Sequence, residues 1–237
     1  MIVSIHQPAY LPWLGYFDKI RRSDVFVFLD TVQLEENGFA NRNRNRVRTA
    51  SGVKWLTVPL LMKGHTEKSI GEMRINPASN WKRKHIATLA QAYRGRPHYE
   101  RYAGGIERLI DGAGDSLGDF LFEMLGYFLG ELGLDGRRVL RASGLGAVGS
   151  RAELLARIAG EVGADVYLSG SAGREYLDPA PFREAGIEVA FQDFRHPVYD
   201  QGAPGLEPGF EPNMGIVDAL FHLEGEGVAE MLERAGG

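Results

Sequence analysis

The stretch of the sequence best equipped for chemistry is residues 6–17, HQPAYLPWLGYF. It follows the apolar run 2–5 and combines His6 and Gln7 with two tyrosines and one tryptophan. An imidazole can move a proton near neutral pH, and a glutamine amide can orient a polar substrate. A loop that only joined two elements would not need this set of side chains. We therefore take His6 as a candidate catalytic residue, and Gln7 and Tyr10 as candidate substrate-binding residues.

A second histidine turn lies near the other end of the chain, at residues 196–201, HPVYDQ. His196 is the second candidate acid or base, and Tyr199 and Gln201 are candidate substrate-binding residues. In a parallel sheet His6 and His196 would both lie beyond the carboxyl ends of strands and could face one crevice.

Polar side chains also follow the apolar run 25–30. Asp30 and Gln33 come at its end, where a carboxylate can hold a sugar hydroxyl or act as a base. A basic stretch comes next, and its guanidinium groups suit phosphate and carboxylate. The candidate substrate-binding residues of that stretch are Asn41, Arg42 and Asn43.

Residues 169–173, SGSAG, follow the apolar run 166–168. Glycines let a ligand approach the backbone closely, and free N–H groups can cradle an anion. The segment is neither a Walker loop nor a dinucleotide fingerprint. It supplies the candidate substrate-binding residues Ser169, Gly170, Gly173 and, shortly after it, Tyr176.

Strand and helix signals alternate along much of the chain, which is typical of βαβ units. Strands are predicted at 2–5, 25–30, 53–60, 70–75, 138–142, 166–170 and 187–191. Helices are predicted from Asp18 onward, at 81–93 with Asn80 as cap, and at 99–109, 117–132, 150–163 with Ser150 as cap, 179–185, 214–221 and 227–234. Asparagine-rich residues 37–48 are expected to form a loop or a twisted edge. The predicted fold is α/β, with a mostly parallel Rossmann-like sheet flanked by helices.

The chain of 237 residues suits a single α/β domain, 1–237, with residues 77–135 as a helical insertion. It has no cysteine, which excludes disulfides, thiolate metal sites and a cysteine nucleophile. The net charge of −4 argues against bulk nucleic-acid binding. No apolar run reaches the length of a membrane span, no secretory segment opens the chain, and a cytoplasmic protein is expected. No metal site is predicted, because His85 and His98 lack ligand spacing.

Several segments together resemble the WbqC-like protein family, in the expected order and over nearly the whole chain. One departure is Gly215, where such proteins more often carry serine. The segments are His6-Gln7-Pro-x-Tyr10-Leu11-Pro12-Trp13-x-Gly15-Tyr16-Phe17-x-Lys19-Ile20, Asp24-x-Phe26-Val27-x-Leu29-Asp30-x-Val32-Gln33, Asn41-Arg42-Asn43, Trp55-Leu56-Thr57-Val58-Pro59, Tyr167-Leu168-Ser169-Gly170-x-x-Gly173-x-x-Tyr176-Leu177, His196-Pro197-x-Tyr199-x-Gln201 and Asp218-Ala219-Leu220-Phe221.

The family occurs largely among bacterial genes for surface polysaccharide and specialised metabolites, so the resemblance implies a small-molecule enzyme of bacterial biosynthesis. A looser similarity is to the nucleotidyltransferase-type sheet of pantoate–β-alanine ligase-like enzymes. There Gln33 and Arg42 would be the counterparts of a glutamine and an arginine, but the second histidine of that motif is absent. This likeness concerns the fold and argues little about function.

The expected function is therefore transfer of an acyl or aminoacyl group to or from an activated small molecule. The alternatives are nucleotidyl or adenylyl transfer, a non-catalytic module that binds a nucleotide-sugar or a partner, and, last, a metal-dependent hydrolase. The sequence requires no cofactor and leaves room for a nucleotide or an acyl thioester as co-substrate. The expected partner is a small molecule, and the apolar helix at 117–132 could bury its face inside the chain or against a second copy.

Overall fold

The computed structural model describes residues 1–34, 42–202 and 209–235. The strands are β1 (Ile2–His6), β2 (Val25–Phe28), β3 (Arg44–Thr49), β4 (Gly52–Thr57), β5 (Arg138–Arg141), β6 (Val166–Ser169) and β7 (Glu188–Phe191). The helices are α1 (Leu14–Arg21), α2 (Trp81–Tyr93), α3 (Tyr99–Gly112), α4 (Leu117–Glu131), α5 (Arg151–Glu161), α6 (Gly173–Tyr176), α7 (Ala180–Glu184) and α8 (Ile216–Ala235), and α8 is kinked at Glu224.

Five of the strands form one sheet in the order β5-β2-β1-β6-β7, and every neighbouring pair is parallel. The predicted α/β fold with a parallel sheet is confirmed. β1 is the central strand. The chain moves outward on one side through β2 and β5, and then on the other side through β6 and β7. The strand order therefore reverses between β1 and β6, and ligands of open α/β sheets bind at the carboxyl ends of such a pair.

Alternate residues of the sheet pack on opposite faces, as the strand geometry requires. Phe26 and Phe28 join the larger core cluster, with α1, α2, α3, α4 and α8. Val25 and Val27 join a smaller cluster with α5 and α7. The predicted apolar helix α4 is buried inside the chain, and Ser116 caps it by accepting the backbone N–H of Asp119 at 3.2 Å.

Residues 44–49 are a strand, so the expectation of a loop or twisted edge for residues 37–48 was wrong over residues 44–48. β3 pairs with β4 as an antiparallel hairpin, from Arg44 with Thr57 to Thr49 with Gly52. The alternation explains the error, because Asn45 and Val47 are fully buried in the core while Arg46 between them is only partly buried. Tertiary packing thus outweighs the poor strand propensity of asparagine.

One predicted strand was wrong. Residues 70–75 form no strand: Ile70–Glu72 is a 3-10 turn, because Ser69 and Glu72 satisfy each other's local donors in a capping box. Asn80 and Ser150 stand at the predicted N-cap positions, but neither side chain makes a cap bond. The chain is helical from Asp18 onward as predicted, and the helix begins four residues earlier, at Leu14.

In the described part of the chain, no helix combines the length and the apolar character that a bilayer crossing requires.

Candidate functional site

His6 ends β1 at the point where the strand order reverses. Its ring packs edge-on against Tyr16 and Trp13, with centroid distances of 4.8 and 5.4 Å. Nδ1 lies 2.9 Å from the carbonyl oxygen of Gln7. A carbonyl can only accept, so Nδ1 carries the proton and Nε2 keeps its lone pair in the neutral ring. The backbone of residue 7 therefore fixes the tautomer of His6.

The surroundings of His6 keep its ring neutral. Burial of the ring, followed by the positive charge of Lys19, lowers its pKa from 6.5 to about 3; the Gln7 bond opposes this and Arg42 adds to it. Two cations thus act on one imidazole from different elements. An anion bound beside them would raise the pKa of His6 again, because opposite charge favours the protonated form.

Lys19 is a buried cation that the candidate list from the sequence does not contain. It lies on α1, is 3% exposed, and its Nζ donates to the carbonyl oxygen of Ile5 at 2.9 Å. Burial lowers its pKa from 10.5 to about 7. The signal for it was available, because Lys19 follows Tyr16 by three residues and so shares a face of the helix with a ring that touches His6.

Arg42 and Asn43 reach the same region from the start of the hairpin, while Asn41 lies outside the described residues. The backbone oxygen of Arg42 accepts the N–H of Tyr10 at 2.8 Å, and the side chain of Arg42 is buried at 6% exposure. Asn43 donates to the carbonyl of Val58 at 2.9 Å and so closes the hairpin.

Gln7 and Tyr10 occupy different surroundings in the turn after β1. The side-chain oxygen of Gln7 is buried, and no hydrogen-bond partner for it lies among the described residues. Tyr10 is fully buried, and its hydroxyl is hydrogen-bonded to Nδ1 of His85 at 2.9 Å. Burial lowers the pKa of His85 to about 4.

Leu11, in the same turn, has a backbone conformation that non-glycine residues rarely adopt, with φ of +44°. Its N–H lies 3.4 Å from Sδ of Met124, and its carbonyl accepts from Asn45. Such strain persists only where surrounding contacts hold it, and it is common at functional sites. A Cβ at Gly215 would lie 3.0 Å from the Leu11 oxygen, so the departure from serine at this position fits the close approach.

Ser169 and Gly170 lie at the carboxyl end of β6, the strand beside β1 where the strand order reverses. Ile2 pairs with Val166, and extending this register brings His6 level with Gly170. A Cβ added at Gly170 would meet nothing within 4 Å, so the space beside it is open.

Gly173 and Tyr176 differ from Gly170 in their surroundings. A Cβ at Gly173 would lie 2.2 Å from Oγ of Ser169, so this glycine packs directly on the serine. The Tyr176 side chain is 77% exposed.

Asp30 and Gln33 are engaged by other protein groups. Asp30 accepts from Nε of Arg141 at 2.9 Å, from the Ser143 N–H at 2.9 Å and from the Ser143 hydroxyl at 2.7 Å. Gln33 is exposed and donates to the carbonyl of Thr66. The carboxylate after β2 thus binds the end of β5.

His196 repeats the local geometry of His6, since its Nδ1 lies 2.9 Å from the carbonyl of Pro197. Its Nε2 is buried, and the described part of the chain offers it no hydrogen-bond partner. Burial lowers its pKa, the Pro197 bond and Asp218 oppose this, and Arg46 adds to it. His196 also lines a cleft of about 680 Å³ whose other wall is the second half of α8, from Leu223 to Ala235.

The two histidines are linked through aromatic rings. Trp13 contacts His6, and Phe194 lies 5.9 Å from His196 between ring centroids. Trp13 and Phe194 both crowd Gly15, where a Cβ would lie 2.9 Å from each. His6 and His196 are therefore on the same side of the molecule.

Tyr199 and Gln201 bind Asp218, a fully buried carboxylate of α8. The carboxylate accepts from the Tyr199 hydroxyl at 2.6 Å and from the Gln201 amide at 2.9 Å. The Tyr93 hydroxyl donates to its other oxygen at 2.8 Å, and Arg48 donates to the Gln201 oxygen at 2.9 Å. Sequence reasoning did not single out Asp218 as a site residue, although it belongs to a segment that resembles the family.

Gln192 is a second polar residue that the candidate list missed. It follows β7 and donates to the Gly15 carbonyl at 2.9 Å and to the Asp18 carboxylate at 2.7 Å. It thereby fixes α1, and with it Lys19, against the end of the sheet. Within residues 1–34, 42–202 and 209–235, no group of three or more histidine or acidic side chains could hold a metal ion.

The fold and this edge of the sheet define an α/β protein whose candidate ligand site lies at the carboxyl end of its central strand. The WbqC-like protein family model matches residues 7–230, and the chain belongs to that family. An uncharacterised protein of Mycobacterium tuberculosis, Rv1507c, is 30% identical over 226 residues, which is 94% of each chain. No solved structure is significantly similar to the chain.

Proposed function

We propose that this protein is an enzyme of bacterial surface-polysaccharide or specialised-metabolite biosynthesis that transfers an acyl or aminoacyl group to or from an activated small molecule. The biosynthetic setting rests on the family resemblance. The chemistry rests on one observation: His6 is a neutral imidazole whose Nδ1 is bound by the Gln7 carbonyl, which leaves the Nε2 lone pair for a substrate. That is the state a general base needs before it accepts a proton.

In the proposed reaction, Nε2 of His6 takes the proton of an attacking amine or hydroxyl as that group bonds to the acyl carbon. The bond between the acyl carbon and the leaving group then breaks, and the leaving oxygen or sulfur keeps the electron pair and takes up the proton. A pKa of about 3 makes free His6 a weak base. A negatively charged substrate would correct this, because its charge offsets Lys19 and Arg42 and raises the pKa.

The other candidate residues would orient the substrate. Arg42 would pair with a phosphate or carboxylate group, and the Gln7 amide and the Ser169 hydroxyl would bind polar groups. Trp13 and Tyr16 would form the apolar wall against which His6 packs. His196, whose ring packs against Phe194, would be the second acid or base.

The test is a transfer assay with purified protein. Acetyl-CoA, acetyl phosphate and aminoacyl adenylates serve as donors, amino-sugar nucleotides serve as acceptors, and amide or ester products are detected by mass spectrometry. We expect His6→Gln to lower turnover by about 10²- to 10⁴-fold, the usual contribution of a positioned acid or base. His65→Gln is the matched control, because His65 also bonds a backbone carbonyl, that of Met62, but belongs to the 3-10 turn His65–Glu67 and to no strand of the five-stranded sheet. Unchanged turnover in folded His6→Gln would remove the catalytic assignment.

Nucleotidyl or adenylyl transfer is the second candidate, favoured by the strand order and by the basic side chains beside β1. It predicts that ATP or CTP binds and that pyrophosphate is released when an acceptor is added. Arg42→Ala should abolish that binding. A protein that binds a nucleotide-sugar, turns over no donor and keeps its affinity in His6→Gln would instead be a non-catalytic module.

A further inference from the structure

The β3–β4 hairpin has a free edge, which β4 forms. In an antiparallel pair, residues that bond each other alternate with residues whose backbone groups point away from the partner strand. The Val58 N–H donates to the Asn43 carbonyl at 2.7 Å, and the register then places Val53 and Trp55 in pairs without mutual bonds. The backbone groups of Val53 and Trp55 therefore point away from β3.

The outward backbone of β3 is bonded to the protein, whereas that of β4 is open. The Arg48 N–H, on the outer side of β3, donates to the Tyr93 hydroxyl at 3.1 Å. Within the described ranges, the outward N–H and C=O groups of Val53 and Trp55 have no hydrogen-bond partner. Each of the two residues thus offers one donor and one acceptor to an added strand.

The side chains along this edge suit contact with another chain. Val53 and Trp55 share one face of β4, because they are two residues apart, and they are 39% and 41% exposed. Lys54 between them is exposed on the opposite face. A charged residue protects an edge strand from indiscriminate pairing, and tryptophan and arginine are enriched at specific interfaces.

The hairpin is positively charged around the edge. The guanidinium group of Arg44 lies 4.8 Å from the centroid of the Trp55 ring, and that of Arg46 lies 6.0 Å from it. Arg46 also donates to a neutral acceptor, the Pro212 carbonyl, at 2.8 Å. In the part of the chain that the structure describes, neither arginine nor Lys54 forms an ion pair. A segment that carries carboxylates would complement this charge.

We propose that the edge of β4 binds an extended, acidic segment of a partner protein, which adds to the hairpin as a third strand. The backbone of that segment pairs with Val53 and Trp55, and one of its acidic residues lies opposite Lys54. Apolar residues on either side of this acid pack on the Val53 and Trp55 side chains. The inference concerns a contact with another protein and does not depend on the proposed transfer reaction.

Two other occupants fit this edge less well. A second copy whose Trp55 pairs antiparallel with Val53 would set Lys54 opposite its own equivalent, and like charges directly opposite are unfavourable. A nucleic acid would leave the row of backbone donors and acceptors unused. Arg44 also lies over the Trp55 ring, on a face where a base would stack.

The experiment is a fluorescence-anisotropy titration of short labelled peptides with the full chain. One peptide alternates valine with glutamate, a second alternates valine with lysine, and a third is the glutamate peptide with N-methylated valines. We expect the glutamate peptide to bind. The other two should bind about 10-fold more weakly or worse, because one reverses the charge and the other lacks the main-chain donors that would face β4.

Two pairs of variants test the edge from the side of the protein. Val53→Pro removes an outward N–H and spares the bonds between β3 and β4, while Val53→Thr keeps that N–H. The proline should weaken binding of the glutamate peptide by about 10-fold, and the threonine should leave it close to that of wild type. Lys54→Glu should also weaken binding by about 10-fold, whereas Lys84→Glu, the same change on α2, should not.

The proposal is refuted if wild type does not bind the glutamate peptide, or if folded Val53→Pro and Lys54→Glu bind it like wild type. Should Val53→Pro not fold, the N-methylated peptide decides, because affinity equal to that of its parent rules out strand addition. Light scattering that shows a wild-type dimer, dissociated by Lys54→Glu, would assign the edge to a second copy. Competition by single-stranded oligothymidylate for the glutamate peptide would assign it to nucleic acid, and either result overturns the proposal.

Discussion

Two regions of this protein carry a histidine with the same local bond but with opposite surroundings. His6 and His196 each have Nδ1 at 2.9 Å from the carbonyl of the following residue. Near His196 the buried carboxylate of Asp218 accepts hydrogen bonds from the hydroxyl groups of Tyr93 and Tyr199. Near His6 the charges are cations, and the described residues set no acidic partner against Lys19.

The difference separates polar groups that stabilise the fold from those left for a ligand. The Asp218 network satisfies its own donors and acceptors and holds residues 199–201 on α8. Such networks are usually structural, since removal of one member leaves the others unpaired. The end of β1 has the reverse character, with strain at Leu11 and with Lys19 as the main charge acting on a neutral ring. We therefore assign the chemistry to the His6 region first.

The largest expected effect is on turnover, in variants of the two histidines. His6→Gln should lower turnover by about 10²- to 10⁴-fold, whereas His196→Gln should lower it less, because its Nε2 is buried. Steady-state kinetics with the donor found by the transfer assay provides the measurement. A greater loss in His196→Gln would reverse the assignment.

The variant Asp218→Ala tests whether the Asp218 network stabilises the fold. Removal of this carboxylate leaves Tyr93, Tyr199 and Gln201 without their acceptor, and we expect the free energy of unfolding to fall by about 3–5 kcal/mol. Urea denaturation measures it, with the exposed Asp193→Asn as control. A loss no larger than that of the control would show that the network contributes little.

Substitution of Gly173 and of Gly170 separates an effect on stability from an effect on ligand binding. Gly173→Ala should lower the free energy of unfolding by about 1–3 kcal/mol, because its Cβ would overlap Oγ of Ser169. Gly170→Ala has open space and should leave stability nearly unchanged while it weakens ligand binding. Thermal unfolding and ligand titration of the two variants separate these effects, and equal stability losses would contradict the assignment.

Acid stability gives the smallest effect. The folded pKa of His6, about 3, is below the ordinary value of 6.5, so the unfolded chain binds this proton more readily between those values. Stability should therefore fall as the pH drops from 6.5 to 5, by about 1.4 kcal/mol per pH unit from this residue. His85, with a pKa of about 4, adds to the slope in the same direction.

The check is chemical denaturation across that pH range. The free energy of unfolding of His6→Gln should have a shallower pH dependence than that of wild type. Identical slopes in the two proteins would mean that His6 titrates as an ordinary histidine.

The sequence predicted the parallel sheet well, because short apolar runs such as 25–28 and 166–169 are bounded by turn residues. It failed for β3, where the core-facing Asn45 hides the alternation that defines a strand. It pointed to His6 because this residue follows the apolar run 2–5, but it could not tell side chains that face a ligand from side chains that bind other groups of the protein. Tyr199 and Lys19 illustrate this: only three-dimensional contacts reveal the carboxylate bound by the tyrosine and the neutral carbonyl bound by the lysine.

The most direct test of a ligand-ready imidazole at the end of β1 is a nitrogen-15 NMR titration of His6, with and without phosphate. We predict a neutral ring protonated at Nδ1 down to pH 5 in the free protein, and a higher pKa of His6 once a phosphate binds near the ring. Titration of His6 near pH 6.5 under both conditions would contradict the account.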